Sequence, residues 1–304
     1  MARKMKVQER GSVKYSRIDL QINSLLQFIP FHLVPFTAGV YLITRMLDYL
    51  PPQVWWSWLV YPVAVLPIGY AVLLCVVLLV GIAYRITPNL EPGKRYKTYS
   101  KEWLLWGIKA ELWKVVVDFD FLYNYILKIY SLRWLFFKLI GFKIKSSSMV
   151  ATDVRIYEPH MLEVGHNVLM PVYSLFSGHA ITGATMVMGK IKIGDDCRLG
   201  AQSAYAPGAT LGNQVTIGFN VMVGPGSQIG DSTLIDSGTK IADNCRIGKD
   251  VSIGKDCVID RRVEIADGVQ IPSFTRIRAK RKISSTEELF LEGKGDRRVG
   301  NHVV

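Results

Sequence analysis

The chain is poor in the residues that staple or metallate small folds. It has four cysteines in 304 residues: Cys75, Cys197, Cys245 and Cys257. None belongs to a C-x-x-C pair, which excludes a zinc ribbon, and Cys75 lies inside an apolar run, which excludes a disulfide framework. They read as small buried thiols. Histidine is also scarce: His32, His160, His166, His179 and His302. Acidic residues are outnumbered, 25 against 37 Lys and Arg, for a net charge of +12. That balance suits an anionic partner, either a membrane surface, a phosphorylated ligand or nucleic acid. No nucleic-acid recognition motif accompanies it, and the basic ends are explained by a membrane. With 49% apolar and 20% charged residues the chain is not disordered.

Two long stretches lack charge altogether or nearly so. The first is "LLQFIPFHLVPFTAGVYLIT", from Leu25 to Thr44; the second runs from Val54 to Tyr84, interrupted by Pro62 and Pro67. Spanning a bilayer takes roughly 20 apolar residues, so both qualify, and the short "RMLDYLPPQ" between them predicts a transmembrane hairpin. The first stretch is too long for a signal peptide, and no A-x-A site follows it. Arg3, Lys4, Lys6, Arg10, Lys14 and Arg17 precede the pair, and Arg85, Lys94, Arg95 and Lys97 follow it, whereas the turn has Arg45 alone. Both ends are therefore expected in the cytoplasm. Trp55, Trp56 and Trp58 suit a headgroup zone. A buried soluble hairpin, or a re-entrant first segment around Pro30 and Pro35, is the alternative.

From Tyr99 to Lys145 aromatics mix with lysines, and charges recur too often for a span. Trp103, Trp106, Trp113 and Trp134 beside basic residues predict helices lying on the membrane face. The competing reading is a soluble helical linker packed on the following domain.

The second half has a period of six. Counting from Ile193 gives Leu199, Tyr205, Leu211, Ile217, Val223, Ile229, Ile235, Ile241, Ile247, Ile253, Ile259, Ile265, Ile271 and Ile277. The residue two before each is small or Val/Thr-sized, except Ile191; the next residue is often Gly, as in Gly194, Gly200, Gly218 and Gly224. Residues two apart on a strand share a face, so both columns point inward. The glycine lets the chain turn a corner. One six-residue piece cannot bury its face alone, but stacked coils bury a continuous aliphatic column. The period predicts a β-solenoid.

"IGDDCRLGAQ" and "IGKDVSIGKDCVID" resemble the hexapeptide-repeat, left-handed parallel β-helix acyltransferases. The resemblance implies three hexapeptides per triangular coil, about five coils over Val187–Ala279 with weaker ones from Met149, and a left-handed course against the usual rule. It also implies an acyl-CoA donor held between the neighbouring β-helices of a homotrimer, with a histidine as base. "LFSGHAITGATMVMGKIKIG" interrupts the repeat before it resumes at Ile191, and the phrase Gly189, Ile191, Ile193, Gly194 resembles the family's re-entry after its catalytic histidine. His179 is thereby the expected base, suited to take and give a proton near neutrality. Ala180 and Ile181 follow it where many members have a polar residue, so the orienting carboxylate is sought upstream, at Glu158 or Glu163. The alternative is a surface-loop histidine. Gly194, Gly200, Gly218 and Gly224 are the expected donor-binding corners. Some hexapeptide β-helix proteins are carbonic anhydrases with three histidines on zinc. His160 and His166, six apart, fall on different sides of such a prism, so no metal is expected. "RIRAKRK", from Arg276 to Lys282, fits an anionic group of CoA or lipid.

The order "EPGKRYKTYSKEW", "LRWLFFKLIGFKI", then repeats, is similar to the membrane-embedded C-terminal region of poly-lysine-synthetase-type nonribosomal peptide synthetases. That similarity implies a stand-alone unit whose activated substrate comes from elsewhere. Taken together, the expectations are a basic cytoplasmic segment at 1–23, a transmembrane hairpin at 24–87, interfacial helices at 88–148, a left-handed parallel β-helix at 149–280 and a tail at 281–304. The expected activity moves an acetyl, acyl or aminoacyl group from acyl-CoA, or a carrier-bound thioester, to a hydroxyl or amine on a lipid-linked or glycan acceptor. The protein would be multi-pass and in contact with membrane lipids, its β-helix in the cytoplasm. The alternative function is a non-catalytic β-helix that trimerises a membrane assembly.

Overall fold

The computed structural model describes residues 31, 33–49, 55, 57–151 and 153–288. The chain divides into two compact units at residues 76 and 77. In the first lie helix α1 (Val34–Tyr49) and the beginning of α2 (Ser57–Ile86). A Cβ on Gly39 would come 2.7 Å from a Val72 methyl, so the two helices touch at this glycine. Sequence reasoning placed the first span nearer the N-terminus. The described helix has 16 residues, short of the roughly 20 a span needs. Helix α2 runs unbroken through Pro62 and Pro67, where an interruption was expected. By length and composition, one described helix can cross a membrane: Leu59–Ile86, with mean hydropathy 2.9. His32 and the residues before Phe31 lie outside the described part, as do 289–304, which include His302.

In the second unit three helices precede the coil: α3 (Lys101–Val117), α4 (Asp120–Lys128) and α5 (Tyr130–Ile140). Ser100 caps α3 by accepting the Trp103 N–H. Gly141, at φ 75, ends α5 in the left-handed conformation that glycine adopts freely. Leu112, Trp113, Val116, Leu132, Phe136 and Ile140 are buried. Trp113 stacks on Phe136 at 5.8 Å and donates its indole N–H to the Ile156 carbonyl of the coil. Trp113 and Trp106, read as part of a membrane-facing belt, are thus turned onto the coil. Of Trp103, Trp106, Trp113 and Trp134, only Trp134 is exposed.

The coil is a parallel solenoid with three faces. One is an eight-stranded sheet of residues 143–144, 162–164, 191–193, 210–211, 228–229, 246–247, 264–265 and 282–283. The second has seven strands, from Arg155–Ile156 to Arg276–Ile277. The third runs from Met149–Val150 to Gln270–Ile271, with Arg198 bridging Leu169 to Thr216. The stack begins at Lys143 and ends at Ile283, wider than 149–280 at both ends. From Lys192 on, each strand pairs with the one three hexapeptides later, as in Lys192↔Thr210 and Thr210↔Gln228. The aliphatic column is buried except at Leu199, which is half-buried, and Tyr205 is stacked on Phe176 at 4.7 Å.

Two details differ from the simple reading of the repeat. The corner is made by another column, three residues after each aliphatic one: every sixth residue from Asp196 to Lys280 has positive φ, mostly Asp, Asn, Gln or Gly. The glycine directly after the aliphatic residue serves close stacking instead. A Cβ on Gly218 would sit 2.5 Å from Ser237 N, and one on Gly200 would run into the Gly218 carbonyl. The small inward column also bonds. Ser227 Oγ and Thr239 Oγ1 each donate at 2.8 Å to a carbonyl on the next rung, that of Ala242 and that of Gly254. They accept the N–H of the equivalent residue on that rung, Cys245 and Cys257, at 3.1 Å. Cys197, Cys245 and Cys257 donate to carbonyls in the same pattern, and burial pushes their thiols above the usual range. These are structural thiols rather than nucleophiles.

Candidate functional site

The site forms where the coil breaks its own spacing. Lys192 pairs forward with Thr210, three hexapeptides on, but its partner on the preceding rung is Glu163, much further back in the chain. The extra length holds an antiparallel hairpin, His179–Thr182 against Thr185–Met188, turned at Gly183 with φ 62. Its outer strand pairs with Arg95–Lys97, ahead of the helices, in the register Arg95↔Val187 and Lys97↔Thr185. Leu90, Met161, Met186 and Met188 make an apolar floor, against which Tyr96, Trp103 and Trp106 pack.

His179 opens the hairpin, and its partner is Glu158. The register Arg155↔Leu175 and Ile156↔Phe176 sets this rung against the next, so Glu158 comes beside Gly178. Glu158 Oε1 lies 2.6 Å from His179 Nδ1, and Oε2 accepts the Gly178 N–H at 2.8 Å. A Cβ on Gly178 would come 2.9 Å from Met161 Cβ and 3.2 Å from Glu158 Oε2, so glycine is required for this approach. Trp106 Nε1 donates to Glu158 Oε1 at 2.8 Å, and its ring lies against the imidazole with centroids 4.7 Å apart. Ser177 Oγ lies 3.3 Å from Nδ1, and Tyr157 closes another side at 5.7 Å. The Glu158 side chain is 3% exposed and that of His179 16%. A carboxylate accepts only, so the 2.6 Å contact with Glu158 Oε1 assigns the proton to His179 Nδ1, beside the N–H groups of Trp106 and Gly178. Nε2 has no hydrogen-bond partner among the described residues. The pair has the geometry of an imidazole oriented by a carboxylate.

The other candidates lie elsewhere. Glu163 bridges Lys143 at 3.0 Å and Lys190 at 3.4 Å, which holds its carboxyl below the usual range. His160 Nδ1 is 2.7 Å from the Tyr84 hydroxyl, and burial, with Lys109 nearby, pushes it down to about 3. His166 Nδ1 is 3.1 Å from Ser147 Oγ. The three histidines thus have three separate partners. Gly194, Gly200, Gly218 and Gly224 do not gather around His179. They occupy three corners of the prism, and the N–H groups of Gly194, Gly218 and Gly224 are spent on the carbonyls of Leu211, Ile235 and Ile241. Gly224 alone shares the corner of Ser177, two rungs away through Ala206.

Sequence reasoning singled out Trp106 for a membrane role and missed its contact with the site. The available signal was the i, i+3 spacing of Trp103 and Trp106, which puts both on one helix face; in the structure their rings are 4.9 Å apart.

Residues 190–225 match the family described as hexapeptide repeat of succinyl-transferase, and residues 226–261 match bacterial transferase hexapeptide (six repeats). Comparison with curated proteins gives no match. Among solved structures, a mutant of AntD, an N-acyltransferase from Bacillus cereus, with dTDP-4-amino-4,6-dideoxyglucose and coenzyme A, aligns at 17% identity and TM-score 0.33 over 48% of this chain and 78% of that one. The acetyltransferase domain of PglB from Neisseria gonorrhoeae, with acetyl coenzyme A, aligns at 11% identity and TM-score 0.25 over 49% and 62%. PerB from Caulobacter crescentus, with CoA and GDP-perosamine, aligns at 10% identity and TM-score 0.27 over 56% and 62%. At such values the description of this coil rests on its own register pairs.

Proposed function

We propose that the chain is a membrane-anchored acyltransferase that moves an acyl group from a thioester to a hydroxyl or amine, with His179 as general base. The observation that carries the proposal is the buried Glu158 carboxylate bonded to His179 Nδ1 at the long excursion of a transferase-type hexapeptide coil. Glu158 holds the imidazole so that Nε2 faces the incoming nucleophile. Nε2 takes the proton from the hydroxyl or amine as its heteroatom bonds to the thioester carbonyl carbon. The tetrahedral intermediate then expels the thiolate, which takes the proton back from Nε2. The donor is acyl-CoA or a carrier-bound thioester. It runs along a corner between the neighbouring β-helices of a homotrimer, and of the four glycines Gly224 is the one on the corner of Ser177. The acceptor is lipid-linked, a glycan or an amine. The likeness of the helical segment to poly-lysine-synthetase-type synthetases adds aminoacyl to the groups moved. Helix α2 anchors the chain, and the flanking charge sets the coil in the cytoplasm.

The test is His179→Ala in the purified full chain, assayed for thiol release from acetyl-CoA in the presence of amine and sugar acceptors. Loss of release beyond about 10²-fold is expected for removal of a general base. An unchanged rate, or the absence of any CoA-dependent rise in melting temperature in the wild type, returns the coil to the alternative role of an assembly module.

A further inference from the structure

A second concave site lies away from His179, between α5 and the first rung of the coil. It encloses about 280 Å³, and its lining includes Arg133, Lys138, Lys143, Lys145, Tyr130 and Trp134. No carboxylate lines it. Lys143 has Glu163, whereas Arg133, Lys138 and Lys145 have no ion pair among the described residues. The first two rest on π faces instead: the Arg133 guanidinium is 5.4 Å from the Tyr130 ring centre and the Lys138 ammonium 4.7 Å from that of Trp134. Those rings are 60% and 54% exposed. Phe137 and Phe142, both buried, complete the lining. Cations converging without a counter-charge repel one another, and the arrangement is relieved by an anion. Cations, exposed aromatics and buried phenylalanines in one lining together suit an anion that carries a hydrocarbon.

The pocket also has a position relative to the candidate span. Helix α2, whose stretch Leu59–Ile86 is apolar enough to cross a bilayer, ends beside it. A Cβ on Gly81 would meet the Leu139 side chain at 2.7 Å, and Arg85 Nη1 donates to the Lys138 carbonyl at 3.2 Å. If α2 spans, α5 sits where the span ends, at the depth of lipid headgroups, where Trp, Tyr, Lys and Arg are favoured. We infer that this pocket binds the phosphate headgroup of an anionic phospholipid, with the first chain carbons on Phe137 and Phe142. The volume is at the lower limit of ligand pockets, roughly 300 Å³, and fits a headgroup rather than a whole lipid. The inference rests on the membrane part of the proposed function and is independent of its chemistry.

The experiment uses the full chain in a non-ionic detergent, titrated separately with dihexanoyl-phosphatidylglycerol, dihexanoyl-phosphatidylcholine and sodium phosphate, the melting temperature being read at each step. The anionic lipid is expected to raise the melting temperature with saturation, at concentrations where the other two do not. A charge near an anionic lipid is worth about fivefold in affinity. Arg133→Gln, Lys138→Gln and Lys145→Gln should each weaken the response about fivefold, and the triple variant about a hundredfold. The single variants stand if the triple one does not fold. An equal response to inorganic phosphate would make this a free-phosphate site and overturn the lipid assignment. Equal responses to the two lipids, or variants that bind like the wild type, would overturn the pocket itself. His179→Ala should keep the lipid response, so failure of the acyl-transfer reading and failure of this one are separable.

Discussion

Replacing Glu158 by Gln tests the dyad most directly. Three N–H groups point at this carboxylate: His179 Nδ1–H at 2.6 Å, Trp106 Nε1–H at 2.8 Å and Gly178 N–H at 2.8 Å. A glutamine amide has one acceptor oxygen and one NH2. With the oxygen kept toward His179 and Trp106, the NH2 faces the Gly178 N–H; turned over, it faces the other two. The first seating is cheaper, because of the native donors it strands only the Gly178 N–H, set against the new NH2, whereas the second strands two. A buried donor without an acceptor costs about 1–3 kcal/mol, so the variant should fold with a lower melting temperature. The rate suffers for a different reason. The imidazolium formed when Nε2 takes its proton loses its counter-charge, and its orientation is held by a neutral bond only. With a general base worth about 10²–10⁴, a loss of about 10²-fold in kcat/KM is expected, or about 2.7 kcal/mol of transition-state stabilisation. KM for the thioester should hardly change, since Glu158 is too buried to touch it. The assay is initial-rate thiol release beside a melting curve. A folded variant whose kcat/KM stays within about twofold of wild type would refute the reasoning.

Three further outcomes follow from the coil. Gly200→Ala drives a methyl into the Gly218 carbonyl; overpacking of this kind costs about 1–3 kcal/mol, so the melting temperature should fall while the affinity for CoA in the folded fraction holds. Thr239→Val removes one donor and one acceptor, leaving the Gly254 carbonyl and the Cys257 N–H short of a partner; chemical denaturation should show a loss of about 1–3 kcal/mol with an unchanged m-value. His160, ordinarily near 6.5, is held at about 3 in the fold, so below 6.5 the unfolded chain binds a proton that the folded chain refuses. Stability is therefore full above 6.5 and falls on acidification by about 1.4 kcal/mol per pH unit from this group. Melting curves between about pH 7 and about pH 5 should flatten in His160→Gln.

The coil was legible because its period is its structure: one aliphatic residue per six, in register at fourteen of fifteen positions with Tyr205 at the other, has no other packing solution. The reason for its glycines was not, since spacing does not tell a bend from a close approach; only the neighbouring rung distinguishes Gly200 from Asp196. The interruption in the repeat drew attention to His179, and the structure shows a carboxylate beside it. Glu158 was one of two upstream carboxylates named with it, and spacing could not choose between them, because the early rungs are longer than the later ones. Arg155 pairs with Leu175, past the position that three hexapeptides would reach, so counting by the later period misplaces Glu158. Trp106 was read for its chemistry, an aromatic beside lysines, which suits a headgroup as well as a buried imidazole.

The hairpin's union with Arg95–Lys97 has a consequence for how the chain reaches its final form. Successive rungs after Ile191 close contacts only three hexapeptides apart, so that part zips locally and fast. Arg95 must instead find Val187 across a long intervening chain, most of which has to be arranged first. During synthesis Trp106 emerges well before the carboxylate and imidazole it will cover. The scaffold can thus be complete while its working end is still open, and an assay of secondary structure alone would score such a molecule as mature.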